Sequence, residues 1–241
     1  MSNDLSDFHT QNFGFDVARG NFSDCTAVNI FGFNNSVGES FETVWNDSVA
    51  YTFPSSASTL SVVSTNAADT MDLLIIGLDA NYVQISETIT LTGLTPVITS
   101  KSFLRINTAI ILSGSNVGGI SIKIGATLHA FIGAGLGITQ AVIYTVPKDH
   151  SLYLFRITVN SATATGSQYV TIRNYTSTST GRVLRIAEAT LSSSQIDYSR
   201  QIPFKIEEKT DFLFEAKSSA STNVIAVFVE AVLRNDKPGS L

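Results

Sequence analysis

The side chains able to do acid–base or metal chemistry in this sequence are few and far apart. There are three histidines, His9, His129 and His150, and a single cysteine, Cys25. No two histidines stand at a metal-ligand spacing, and Cys25 has no second thiol with which to hold zinc or close an intrachain disulfide. Glu207-Glu208 looks like a carboxylate pair, but neighbouring residues of a strand point to opposite faces. The run Glu207-Glu208-Lys209-Thr210-Asp211 reads instead as a charged hairpin turn. Asp79-Ala80-Asn81 opens like a calcium loop and lacks the later oxygen ligands and the closing glutamate. Gly133-Ala134-Gly135-Leu136-Gly137 lacks the third glycine of a dinucleotide loop at the required spacing and reads as a flexible joint. Glu87 falls on the apolar side of its strand, which predicts a place at a sheet edge or beside a base. The residues therefore assign no catalytic, cofactor-binding or metal-ligating group, and the expectation is a protein that is not an enzyme.

Composition narrows the partners. Charged residues make up 15% of the 241-residue chain, against roughly 25% in an average soluble domain. Ser, Thr, Asn and Gly take their place, as along Ser55-Ser56-Ala57-Ser58-Thr59. Neutral hydroxyls and amides cost less to desolvate than Lys and Glu, so such a surface suits packing against neighbours. The net charge is −5 and the basic residues are scattered, which argues against nucleic acid as a partner. No run approaches the roughly 18 apolar residues of a membrane helix. The start, Met1-Ser2-Asn3-Asp4-Leu5, lacks the pattern of a secretory signal. The expectation is a protein made in a cytoplasm, without a membrane partner.

The elements that must position any site read as strands. Short runs of Val, Ile, Thr, Phe and Tyr alternate with turn clusters from Val28 onward. Val49–Phe53, Leu60–Val63 and Leu73–Ile76 are followed by Val83–Leu91, where apolar and polar residues alternate with a period of two. Phe103–Leu112 and Ile120–Leu128 come next, then a Gly-rich bridge over residues 129–140. Further strands read at Ala141–Val146, Leu152–Val159, Tyr169–Tyr175, Arg182–Leu191, Ile202–Ile206, Asp211–Ala216 and Val224–Leu233. The pattern predicts an all-β protein: two consecutive β-sandwich or jelly-roll-like domains, residues 28–130 and 131–241, behind an irregular N-terminal arm, residues 1–27. That arm lacks any period yet carries Phe8, Phe13, Phe15 and Phe22. Disordered tails are poor in aromatics, so this segment lies on something, either the chain's own core as a lead-in strand or a neighbouring subunit, and these four phenylalanines are the candidate interface residues.

Several words of the sequence resemble virion structural proteins of marine tailed bacteriophages, cyanophages among them. They are Ala27-Val28-Asn29-Ile30-Phe31-Gly32-Phe33, Val44-Trp45-Asn46-Asp47, Tyr51-Thr52-Phe53-Pro54 and Ser86-Glu87-Thr88-Ile89-Thr90-Leu91-Thr92-Gly93. Tyr144-Thr145-Val146-Pro147 is similar to the opening of the family's second half. One departure is the loop at Ala68-Asp69-Thr70, which runs directly into Met71 without the extra Gly and Ala of the family. The resemblance implies a part of a virus particle, on the head as a capsid decoration or on the neck or tail, and no catalytic residues. Its expected partners are further copies of itself, with a trimer as the working stoichiometry, and other virion proteins such as the major capsid or tail proteins. Two alternatives stay open: a fibre or tip protein binding host-surface glycans through Tyr153, Tyr169, Tyr175 and Tyr198, and a polysaccharide-active hydrolase.

Overall fold

Among the described residues, the alternation of β-branched and polar residues is taken up by the backbone as sixteen strands and one short helix. The computed structural model describes residues 13–47, 50–162, 170–178, 183–191, 195–219 and 223–237. Helix α1 (Phe13–Ala18) precedes β1 (Cys25–Val37) and β2 (Glu42–Thr43). Then come β3 (Ser58–Ser64), β4 (Asp72–Leu78), β5 (Gln84–Thr90), β6 (Val97–Phe103), β7 (Arg105–Ile111), β8 (Ile120–Ile124) and β9 (Thr127–Ile132). The rest are β10 (Ile143–Thr145), β11 (His150–Ala162), β12 (Val170–Thr178), β13 (Val183–Leu191), β14 (Gln195–Ile206), β15 (Thr210–Ser218) and β16 (Asn223–Asn235).

The strands form two antiparallel sandwiches, so the all-β reading holds. In the first, sheet 1 (β6-β3-β8-β9) faces sheet 2 (β5-β4-β7) across a core that includes Leu60, Leu73, Ile75, Phe103, Ile120 and Ile132. In the second, sheet 3 (β1-β16-β11-β14) faces sheet 4 (β10-β15-β12-β13, with β2 beside β15). Its core includes Ile30, Val44, Leu152, Phe212, Val227 and Val229.

The boundary drawn at residue 28 is corrected by the pairing. β1 belongs to the second sandwich: it pairs with β16 from Cys25↔Arg234 to Val37↔Asn223. β2 likewise pairs with β15. The first sandwich, residues 58–132, is thus set between two pieces of the second. Trp45 and Ala141 form an isolated bridge where the chain leaves and returns.

Three smaller readings also change. Ile120–Leu128 is two strands, because Gly125 takes a left-handed φ of 58° and turns β8 into β9. The Gly-rich segment is a closed turn rather than a flexible joint: the Asn116 amide donates to the Gly133 carbonyl at 2.8 Å, and Gly137 N–H donates to Asn116 Oδ1 at 3.0 Å. Glu207–Asp211 crosses between sheets, since β14 lies in sheet 3 and β15 in sheet 4, so it is no hairpin.

The first sandwich is tied by two carboxylates. Glu87 on β5 accepts from the Ser100 and Lys101 N–H groups of β6 at 2.7 and 2.8 Å, joining the edges of sheets 1 and 2 as its edge reading anticipated. Asp69, fully buried, accepts from the Ser64 hydroxyl at 2.5 Å and from Val117 and Gly118 N–H at 2.7 and 2.9 Å. Burial alone would raise its pKa; these donors outweigh burial and hold it below the ordinary carboxylate value. A depressed folded-state pKa contributes stability above the unfolded value, lost as pH falls through the folded one. Asp69→Asn is therefore expected to cost about 1.5–3 kcal/mol at neutral pH and to flatten the loss of stability below about pH 4. Urea denaturation at stepped pH measures both.

The sandwiches are clamped together by Arg105 of β7 and Asp211 of β15. Arg105 donates through Nε and Nη2 to the two Asp211 oxygens at 2.7 and 2.9 Å. Its Nη1 reaches the Pro54 carbonyl at 2.7 Å. The Thr145 hydroxyl donates to the same carboxylate at 2.6 Å. The guanidinium lies over the rings of Phe53 and Tyr82. Here the segment read as a strand at Val49–Phe53 runs without a ladder from residue 50, its Tyr51 and Phe53 rings packed edge to face.

Candidate interaction surface

The outward face of sheet 3 gathers the exposed aromatic groups. Phe31 of β1 and Phe228 of β16 are direct cross-strand partners with ring centroids 5.0 Å apart, and Phe33 shares their face two residues on. Beside them lies a charged band: Arg156 pairs with Asp197 at 2.6 Å and sits 3.9 Å from Glu230. These pairs are exposed and contribute little to stability.

Helix α1 covers the other end of this face. Phe13 and Val17, four residues apart, share one side of the helix. Val17 is buried, and the Phe13 ring packs against Phe22 and Phe155 at 5.5 and 6.0 Å. Six residues are too few for a helix to hold alone, so this contact with the sheet sustains it. Gly20, with φ of 76°, closes its C-terminus, and Asn21 donates to the Asp16 carboxylate at 2.7 Å. A concavity of about 360 Å³ remains between α1 and the sheet, lined in part by Phe13, Phe22, Tyr153 and Phe155. The salt bridge of Asp24 with Arg234 at 3.2 Å lowers the Asp24 pKa.

The structure thus brings Phe13 and Phe22 together and leaves Phe15 on the solvent side of the helix, 60% exposed, near the Arg19 guanidinium. Phe8 and His9 lie outside the described residues. The aromatic group Phe31, Phe33, Phe41 and Trp45 is a second anchor candidate in the sequence, but the partner of Phe31 on this surface, Phe228, is not legible there, because the pairing joins residues 197 positions apart (228 − 31).

The other groups considered for chemistry have structural surroundings. Cys25 is half-buried, and burial followed by the charge of Asp24 pushes its thiol up. His129 is buried beside the Tyr51 ring, and burial followed by the charge of Arg105 lowers its pKa. His150 Nδ1 lies 2.8 Å from the Lys148 carbonyl. Asp79 closes the β4–β5 turn by accepting from Asn81 and Val83 N–H at 2.8 and 2.9 Å. Among the described residues no three His, Cys, Asp or Glu side chains could hold a metal ion. Of the tyrosines named for sugar stacking, Tyr198 is exposed and Tyr153 half-buried, while Tyr169 and the Tyr175 side chain lie outside the described residues. No described helix is long and apolar enough to cross a membrane.

No protein-family model matches the sequence, and no curated protein matches it. Among solved structures, the chain is similar to the infectious bursal disease virus VP2 subviral particle, at 9% identity over 88% of this chain and 76% of that one, with a TM-score of 0.20. The Gx strain of the same virus gives 11% identity over 89% and 77%, with a TM-score of 0.22. The Gt strain gives 10% over 89% and 76%, with a TM-score of 0.20. Scores at this level carry no argument about fold or function.

Proposed function

We propose that this chain is a non-enzymatic structural protein of a virus particle, held in place by packing between subunits. The observation that carries the reading is the apolar surface made by the outer face of sheet 3 and helix α1 lying on it, where Phe13 and Phe15 of α1 and Phe228 of β16 are 42%, 60% and 45% exposed. Large apolar side chains gathered on one face mark an interaction surface. A charge-poor composition fits a surface that is covered in use. The finer reading is a tailed-phage component, on the head as a decoration protein or on the neck or tail, present as a homo-oligomer and seated through the α1 surface.

The experiment is to mix purified protein with particles lacking it, sediment the particles and count bound copies. Wild-type protein is expected to saturate a fixed number of sites. Burying one phenylalanine contributes roughly 1.5–3 kcal/mol, so Phe15→Ser should weaken binding by about tenfold or more, with its melting temperature unchanged. Full occupancy by Phe15→Ser would refute seating through α1. Failure of the wild type to sediment with any particle would refute the role itself.

A further inference from the structure

We propose that the free edge of β1, from Thr26 to Phe31, is a strand-addition site for an extended, uncharged peptide segment of a partner protein. The inference does not depend on the partner's belonging to a virus particle. β1 is, among the described residues, the last strand of sheet 3, with β16 as its ladder partner. Among the described residues no backbone hydrogen bond reaches its other edge between Thr26 and Phe31. At about 3.3 Å per residue, six residues present about 20 Å of backbone, with its outward N–H and C=O groups ready to pair.

This edge lacks the usual protection. Edge strands are guarded by lysine, proline, bulges or inward charges. β14, at the opposite edge of the same sheet, carries Asp197, Arg200, Pro203 and Lys205 and a register shift against β11. β5 carries Glu87, β6 carries Lys101, and β13 carries Arg185 and Glu188. β1 runs thirteen residues, Cys25–Val37, with no charged residue and no proline, and its one register shift against β16, between Asn34 and Val37, lies beyond the open stretch from Thr26 to Phe31.

A groove of about 380 Å³ runs beside the same six residues. Its far wall is the outer side of sheet 2, with Ile76, Thr108 and Ile110, and Ile138 and Ala141 of the returning chain complete it. None of its seventeen lining residues is Asp, Glu, Lys, Arg or His. A charged side chain entering it would lose hydration with no opposite charge to replace the lost water. The groove therefore matches a neutral segment that pairs its backbone with β1 and sets small or β-branched side chains against the isoleucines, the strand-addition mode of peptide recognition.

The test uses the full chain and a fluorescein-labelled, end-capped peptide of alternating Thr and Val, six residues long, read by fluorescence anisotropy. Saturable binding is expected. The same peptide N-methylated at alternate residues, which keeps its side chains but removes donors, should bind at least tenfold more weakly. So should a version with two lysines in place of valines. Ala27→Lys, an exposed position on the edge, should weaken the neutral peptide at least tenfold with the melting temperature unchanged. Equal binding of the neutral and N-methylated peptides, or none by the neutral one, would overturn the proposal. Dimerisation that Ala27→Lys abolishes, without peptide binding, would replace it with pairing between two copies.

Discussion

A fragment spanning residues 131–241 is expected to remain unfolded, although it contains the stretch that reads as a complete second domain. It lacks β1 and β2. Without β1, β16 loses its ladder from Cys25↔Arg234 to Val37↔Asn223. The core loses Ile30, Val37 and Val44, all buried. Burying each is worth roughly 1.5–3 kcal/mol, so together they match much of the roughly 5–15 kcal/mol that stabilises a domain. By contrast, a fragment over residues 57–140 carries both sheets of the first sandwich and is expected to fold alone. A chain with residues 50–139 replaced by a short Gly-Ser linker should recover the second sandwich, because Trp45 and Ala141 already lie side by side. Circular dichroism and amide chemical-shift dispersion distinguish these outcomes. A cooperatively folded 131–241 fragment would contradict the assignment of β1.

Arg105→Ala is expected to lose about 3–5 kcal/mol of stability, the cost of leaving a buried carboxylate without its partner. The two side chains are 7% and 9% exposed, so water cannot take over the lost contacts. Burial alone would lower the Arg105 pKa, and the Asp211 carboxylate reverses this, keeping the guanidinium charged. The variant leaves Asp211 with the Thr145 hydroxyl and frees the Pro54 carbonyl. The pair also joins strands of different sandwiches, so calorimetry of the variant should separate one melting transition into two. Guanidinium denaturation gives the size of the loss; a change below about 1 kcal/mol would show the pair to be solvated.

Strand identity was legible because it is local. β5 followed from alternation with a period of two, β3 and β4 from short apolar runs bounded by turn residues, and the irregular aromatic segment before β1 was marked by Phe13 and Phe22 without its helix being visible. α1 has six residues and no period of its own; packing of Val17 and Phe13 on the sheet decides it. Glu87 was legible as an edge residue because a charge on the apolar side of a strand has few other places to go.

Partnership was not legible, since nothing in Val28–Phe33 states which strand will lie beside it. β1 reads the same whether it opens the first sandwich or closes the second, and its ladder to β16 is set by which long strand offers a matching length and face. Arg105 and Asp211 stand 106 residues apart, in a β-strand and after a charged turn, with no local sign that they meet. By itself the sequence determined the class of fold, the strands and the scarcity of chemical groups, all consequences of residue type and short-range period. The tertiary structure decided which strands share a core, where the sandwiches are clamped and which edge is left open, because those depend on contacts between segments whose separation along the chain leaves no periodic trace.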